Sequence, residues 1–338
     1  MNSIPDTQDN PCVVSVVIPM FNEEAVLPEL LQRLTRVFDS SPRIAWRALL
    51  VNDGSRDGSA RLIRDAAAKD SRLEILDLSR NFGHQPALAA GLAAAAGSSA
   101  VVTMDADLQD PPEVIPDLVA KWREGAEVVL AVRRSRGERS SRRFAFNAFH
   151  KIFGRLIDFP IEPNTGTFGL LGGEALDAFN ALDERHRFFP GLRSWIGFRR
   201  AEVHYDRMDR AAGVAQQTPR RLVRYALDGL FSFSHLPLRV VTYLGLIIAA
   251  FGFAVGAFFI VRRLLGIEIA FTGFTTLVVL LLFLGGVQLV SIGILGEYLG
   301  RVYDEVKRRP LYIVRRKGSG GESAGTESNE AFTAKDAK

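Results

Sequence analysis

Two aspartates separated by a single residue, Asp105 and Asp107, close the apolar run AVVTMD (100–105) and its exit. Carboxylates at i and i+2 can share a hard divalent cation once the chain has left the strand and entered a turn. Mg²⁺ or Mn²⁺ suits such a pair, taking one or two carboxylates plus phosphate oxygens of a substrate. Gln109, again two residues on, offers a carbonyl oxygen as a further ligand. A lone D-x-D is more often a solvated turn, so it is the place at a strand end that gives this pair weight. Polar clusters also follow the other apolar runs: Pro19-Met20-Phe21-Asn22-Glu23, Asp53-Gly54-Ser55 and Arg80-Asn81-Phe82-Gly83, with Arg133 ending a fifth run.

Several other chemistries fail their own tests. No G-x-x-x-x-G-K-[ST] occurs, and no G-x-G-x-x-G follows the first apolar run. Asp53, Ser55, Asp57 and Gly58 imitate the start of an EF-hand loop, but its closing glutamate position is Arg64, which excludes calcium. His84, His150, His186, His204 and His235 lack metal-ligand spacing, so a zinc enzyme is not expected. Cys12 is the only cysteine and can form no intrachain disulfide. A net charge of +4, from 42 Lys+Arg and 38 Asp+Glu, is too mild to demand a nucleic-acid partner. His84 beside the Arg80 loop reads first as a satisfied hydrogen-bonding side chain, and Trp195 as core packing rather than a wall of a binding site.

These clusters need a scaffold, and the periodicity supplies one. VVSVVIP (13–19), RALLVN (47–52), LEILDLS (73–79), AVVTMD and EVVLAVR (127–133) read as strands. Between them lie a helix with Leu27, Leu30, Leu31, Leu34 and Phe38 on one face, a helix over 59–68, an alanine-rich helix over 86–96, and one opened by Pro112. Strands alternating with helices predict an α/β fold with a mostly parallel, doubly wound sheet, which binds ligands beyond the carboxyl ends of its strands. The 338 residues, 47% hydrophobic and 24% charged, allow about two domains of roughly 150 residues and exclude a disordered or disulfide-scaffold chain.

The apolar residues are concentrated near the C-terminus. Residues 240–261 and 274–296 are free of charge. Each run gives about 33 to 35 Å of helix, enough for a ~30 Å hydrocarbon core. Two transmembrane helices are expected, over 239–262 and 274–297. Arginines precede the first span (Arg220, Arg221, Arg224, Arg239), and Lys and Arg follow the second through Lys317, whereas the connection holds only Arg262 and Arg263. Both termini are therefore expected in the cytoplasm. Residues 219–236 carry Arg221, Arg224, Asp228, Ser232 and His235 on one helical face and Leu222, Ala226, Leu230 and Phe233 opposite, which predicts an amphipathic interfacial helix. Residues 1–12 lack an apolar core for a secretory signal, 298–317 form a basic cytoplasmic segment, and 318–338 read as a low-complexity tail.

The combination resembles the family-two glycosyltransferases of GT-A fold, and within them the membrane-anchored polyprenyl-phosphate glycosyltransferases such as dolichol-phosphate mannosyltransferase and bacterial undecaprenyl-phosphate glucosyltransferases. The matching stretches are VVIPMFNEE (16–24), VNDGSRDGS (51–59), SRNFGHQPAL (79–88), MDADLQDPPE (104–113), AVRRSRGE (131–138), RFFPGLRSWIGF (187–198), DRAAG (209–213) and FSFSHLPLR (231–239). The resemblance implies a cytoplasmic GT-A domain over 13–218. In it Pro19, Phe21, Glu23, Asp53, Arg80 and Asp105 would hold the nucleotide-sugar, with Asp53 accepting from the base and Arg210 on the donor phosphates. Asp105, Asp107 and Gln109 would hold Mg²⁺ or Mn²⁺. Arg133 would bind the acceptor phosphate, extended by Arg136, Arg139, Arg142 and Arg143, an arginine run that could equally face solvent or lipid. Asp107 and Arg133 are the expected catalytic pair.

The implied reaction moves a hexose, with UDP-glucose favoured, to a polyprenyl phosphate with inversion at the inner face of a plasma membrane. A homo-oligomer is implied too, and Gly285-Gly286 would permit close helix approach. Three stretches depart from the family. Thr167 stands in Gly166-Thr167-Phe168-Gly169-Leu170 where relatives carry an acidic residue, Ala215-Gln216 replaces Ser-Lys, and Asn52 replaces an aspartate. Threonine is no base near neutral pH, whereas a phosphate acceptor, with a second pKa of about 6, needs none. Transfer to a glycan or glycolipid hydroxyl, and a non-catalytic sugar-nucleotide-binding adaptor, stay open as alternatives.

Overall fold

The computed structural model describes residues 12–134, 165–185, 187–206, 236–265 and 274–315. The chain divides into two compact units: residues 1–151, 159–216 and 309–338 form one, residues 152–158 and 217–308 the other. The expected amphipathic helix over 219–236 lies, but for its last residue, outside the described residues.

The first unit is built on β1 (Val13–Met20), α1 (Leu27–Ser40), β2 (Ala45–Asn52), α2 (Ser59–Ala67), β3 (Leu73–Asp77), α3 (His84–Ala94) and β4 (Ala100–Thr103). A 3-10 turn at Pro112–Val114, α4 (Ile115–Arg123), β5 (Val128–Arg133), β6 (Thr165–Gly172), α5 (Gly173–Asn180), α6 (Phe189–Trp195) and β7 (Arg200–Tyr205) follow. The seven strands pair in the order β3-β2-β1-β4-β6-β5-β7. β1, β2, β3 and β4 run parallel, so their carboxyl ends share one edge. The α/β expectation holds, with one correction. β5 does not continue the parallel run beside β4, because β6 lies between them and is antiparallel to both. β6 reads Thr165-Gly-Thr-Phe-Gly-Leu-Leu-Gly, and its three glycines break the apolar run by which a strand is recognised.

One face of the sheet packs Val14, Val16, Ile18, Ala48, Leu50, Val102 and Val129 against Leu27, Leu30, Leu34 and Phe38 of α1, Ile63 of α2 and Leu118 of α4. Burial of the larger of these side chains, about 1.5–3 kcal/mol each, is the main favourable term. The alanine-rich α3 packs against β1 and β2. Small residues allow its close approach: a Cβ on Gly91 would meet Val17 Cγ1 at 2.3 Å and Val51 Cγ2 at 2.9 Å.

The second unit contains α7 (Leu236–Leu264) and α8 (Phe274–Val306). Both are long and apolar enough to cross a membrane, with mean hydropathy 2.2 over Leu238–Phe258 and 2.3 over Val279–Val306. Large apolar side chains such as Phe253, 80% exposed, and Leu289, 72% exposed, face outwards. α8 continues nine residues past the expected end of its span at 297, because Glu297, Tyr298, Leu299 and Arg301 keep helical propensity with an Arg301–Glu297 ion pair at i,i+4.

Candidate active site

The carboxyl edge of the parallel strands is braced by reciprocal hydrogen bonds between successive loops. After β1, the Asn22 and Glu23 N–H groups donate to Ser55 Oγ (3.0 Å) and Ser59 Oγ (2.9 Å), and Glu24 N–H to Asp57 Oδ2 (3.2 Å). In return, Arg56 N–H donates to Asn22 Oδ1 (2.8 Å) and Gly58 N–H to Glu24 Oε2 (2.8 Å). The residues that imitate an EF-hand therefore tie two loops together. Asn52, in place of an aspartate, donates its amide to Asp77 Oδ1 at 2.7 Å and accepts Ser55 N–H at 2.9 Å, a dual role a carboxylate could not fill. The Phe21 side chain, by contrast, is 40% exposed and free to meet a planar ligand.

Asp53 is buried beneath these loops, at 3% exposure. Its Oδ1 accepts Phe82 N–H at 2.7 Å and its Oδ2 accepts Gly83 N–H at 2.9 Å. Burial raises its pKa, and the two amides only partly offset that. The carboxylate thus shapes the loop that carries Arg80, whose guanidinium stacks on Phe82 at 4.0 Å. Gly54, at φ +69°, lets this loop lie close, since a Cβ there would fall 2.7 Å from the Arg80 carbonyl carbon and the Asn81 nitrogen.

β4 ends at Thr103, so Asp105 and Asp107 lie in the turn beyond it, as cation binding requires. Asp105 Oδ1 accepts from Thr167 Oγ1 at 2.9 Å and pairs with His84 Nε2 at 2.9 Å. Burial opposes its ionisation, but His84, the Thr167 hydroxyl and the positive charge of Arg133 outweigh it and hold its pKa below 3.8. Burial opposes protonation of His84, but its bond to Asp105 and the negative charges of Asp105, Asp53 and Asp107 outweigh it and raise its pKa. His84 is a satisfied side chain, as expected, but its partner is the aspartate at the centre of the site. Asp107 Oδ1 accepts Gln109 N–H at 3.1 Å, folding the D-x-D-x-Q turn back on itself. No cluster of three or more His, Cys, Asp or Glu side chains able to hold a metal occurs among the described residues. Two carboxylates and an amide carbonyl nevertheless fit a cation that completes its shell with water and phosphate.

Arg133, at the end of β5, is fixed by residues that sequence reasoning passed over. Its Nε donates to Tyr205 Oη at 3.1 Å and its Nη2 lies 3.7 Å from Asp110 Oδ1. The Tyr205 hydroxyl in turn donates to Asp110 Oδ1. Asp110 is 1% exposed and Tyr205 4%. Burial of Tyr205 next to a carboxylate raises its pKa far above the phenol range, so it stays protonated and keeps donating. Asp110 sits in the DLQDPP stretch, the one signal that could have drawn attention to it. Tyr205, far away in sequence, offers none. Trp195 departs from the expected core packing: it ends α6 at 57% exposure. Arg136, Arg139, Arg142, Arg143 and Arg210 lie outside the described residues.

Residues 15–177 match Glycosyl transferase family 2, and residues 236–302 match the GtrB C-terminal hairpin. The chain is 47% identical over 303 residues to an uncharacterized glycosyltransferase of Synechocystis sp., spanning 89% of this chain and 94% of that one. The chain belongs to glycosyl transferase family 2. It is a glycosyltransferase of GT-A-like fold carrying two apolar C-terminal helices. Among its family-two relatives, the SfII prophage-derived bactoprenol glucosyl transferase of Shigella flexneri is 42% identical over 310 residues, 91% of this chain and 99% of the relative. A prophage bactoprenol glucosyl transferase homolog of Escherichia coli K12 is 40% identical over 305 residues, covering 90% and 98%. Among solved structures, glucosyl-3-phosphoglycerate synthase from Mycobacterium tuberculosis, in complex with Mn²⁺, UDP and glucosyl-3-phosphoglycerate, aligns at a TM-score of 0.43 and 20% identity over 65% of this chain and 79% of that one.

Proposed function

We propose that this glycosyltransferase transfers a hexose from a nucleotide-sugar, UDP-glucose in the favoured case, to a polyprenyl phosphate at the cytoplasmic face of a membrane, with inversion at the anomeric carbon. The observation that carries this reading is the 42% identity to a bactoprenol glucosyl transferase over 99% of its length, apolar hairpin included. The site chemistry agrees with it. Pro19, Phe21, Glu23, Asp53 and Arg80 are assigned to the nucleotide, Asp53 through the Arg80–Gly83 loop that both of its oxygens fasten, and Arg210 is assigned to the donor phosphates. Asp105, Asp107 and Gln109 would hold Mg²⁺ or Mn²⁺, which when bound offsets negative charge gathering on the leaving diphosphate. Arg133 orients the acceptor phosphate, whose fork-shaped guanidinium contact suits two phosphate oxygens. Arg136, Arg139 and Arg143 are assigned to the same phosphate. The Thr167 hydroxyl donates to Asp105 and removes no proton from the nucleophile. A phosphate acceptor is already largely anionic at neutral pH, so the reaction runs without a base there. The two apolar helices keep the lipid acceptor beside the domain, and the termini lie in the cytoplasm.

The test is sugar transfer by the full chain in detergent, given undecaprenyl phosphate, Mg²⁺ or Mn²⁺ and labelled UDP-glucose, other UDP-hexoses and GDP-mannose. Metal-dependent label in an acid-labile lipid product, lost on chelation and in Asp107→Ala, is the expected result. Label appearing only on a hydroxyl acceptor, or nucleotide binding with no transfer, refutes it.

A further inference from the structure

Residues beyond α8 were expected to be only a basic cytoplasmic segment, yet residues 309–315 belong to the same compact unit as the sheet. They reach β3, which is the edge strand and therefore presents unpaired backbone groups. Leu78 and Val314 form an antiparallel bridge. Ser79 N–H donates to the Ile313 carbonyl at 2.8 Å, and Arg315 N–H donates to the Asp77 carbonyl at 2.7 Å. A second anchor lies upstream, where Arg185 Nη1 donates to the Arg309 carbonyl at 2.9 Å. Tyr312 between these anchors is partly buried, and burial raises its pKa despite the nearby Arg187.

The position of the bridge matters more than its length. Leu78 is 2% exposed and donates its N–H to the Asn52 carbonyl at 2.9 Å, so its two sides are held by β2 and by the tail. Arg80–Gly83 follow at once, resting on Gly54 and fastened by Asp53. Only one side of that loop's entrance is secured by the sheet itself; residues 313–315 secure the other.

We propose that residues 309–315 are a positioning segment of the donor site, an edge strand supplied from beyond the second apolar helix that sets the Arg80–Gly83 loop for the nucleotide. The inference rests on the reading of that loop as part of the donor site. It makes donor affinity depend on the chain after α8, and leaves the acceptor arginine and its Asp110–Tyr205 support untouched.

The two ladder bonds use backbone groups, so the same position provides both the perturbation and its control. Arg315→Pro removes the N–H that bonds Asp77, whereas Arg315→Ala keeps it and loses only the long side-chain contact of Arg315 Nη2 with the Ser79 carbonyl at 3.5 Å. Full-length protein in detergent is titrated with UDP, and hydrogen exchange is followed on the peptide spanning residues 78–84. Arg315→Pro should weaken UDP binding and raise the donor KM about fivefold, the scale of one lost backbone hydrogen bond, and accelerate exchange at 79–83. The lipid-phosphate KM and kcat should stay within twofold, and Arg315→Ala should behave like the wild type. A chain ending at Arg308 provides a second variant and should show the same pattern or a stronger one. Unchanged UDP affinity with unchanged exchange in Arg315→Pro overturns the proposal, as does an equal rise in the KM of both substrates, which a general loss of stability produces. Failure of the wild type to bind UDP counts against the donor reading rather than the bridge, which the exchange rates report independently.

Discussion

Replacing Tyr205 by phenylalanine isolates the support of Arg133. The ring stays, including its edge-on contact with Phe168 at 5.4 Å between centroids, and only the hydroxyl is lost. That oxygen accepts Arg133 Nε at 3.1 Å and donates to Asp110 Oδ1. Hydrogen bonds to charged groups contribute about 1.5–3 kcal/mol each. The Arg133 side chain is 26% exposed and can recover water, whereas Asp110 at 1% cannot. The net cost is therefore nearer one such bond than two, roughly 2–3 kcal/mol. For a domain of this size, at ~2–4 °C per kcal/mol, the melting temperature should fall by about 4–12 °C. With its Nε untethered, the guanidinium no longer presents a fixed fork to a phosphate, and the KM for polyprenyl phosphate should rise about tenfold, equivalent to ~1.4 kcal/mol. The donor KM should stay within twofold. Steady-state transfer assays varying each substrate in turn, with thermal unfolding of the same preparations, measure both effects. A lowered melting temperature with an unchanged acceptor KM would show that the network serves the fold alone. An unchanged melting temperature would refute the hydrogen-bonded geometry itself.

Two further substitutions probe the scaffold. Gly91→Val places methyl groups against Val17 and Val51, where even a Cβ comes within 2.3 Å, and should destabilise the domain by about 1–3 kcal/mol through overpacking, read from thermal or denaturant unfolding. Arg72 grips Asp70 through Nε and Nη2 (2.7 Å for the latter), and its hydrogen bonds, ahead of the opposing effect of burial, hold the Asp70 pKa below 3.8. A carboxylate whose folded pKa is depressed contributes fully above its unfolded value and loses that contribution as pH falls through the folded value. Arg72→Met should therefore cost about 1 kcal/mol at neutral pH and progressively less as acid protonates Asp70, so that its unfolding curve approaches the wild type as pH falls.

The local elements were legible in the sequence because each follows from neighbours along the chain. Short continuous apolar runs place β1, β2 and β4 in a sheet, the spacing of Leu27, Leu30, Leu34 and Phe38 gives α1 its buried face, and uncharged runs longer than a bilayer core mark α7 and α8. Asp105 and Asp107 stood out for the same reason, as two carboxylates in sequence at the end of a strand. What depends on residues far apart in the chain was not legible. β6 carries too many glycines to announce itself, yet it inserts antiparallel between β4 and β5 and brings Thr167 to Asp105. Tyr205 reaches Asp110 and Arg133 because β7 pairs with β5, and residues 313–315 find β3 because an edge strand leaves its backbone groups unpaired. Backbone hydrogen bonding is indifferent to side-chain identity, and a buried polar contact needs only a partner within about 3 Å. Pairing and partner choice were therefore settled by the tertiary fold, whereas side-chain chemistry and periodicity were already written in the chain.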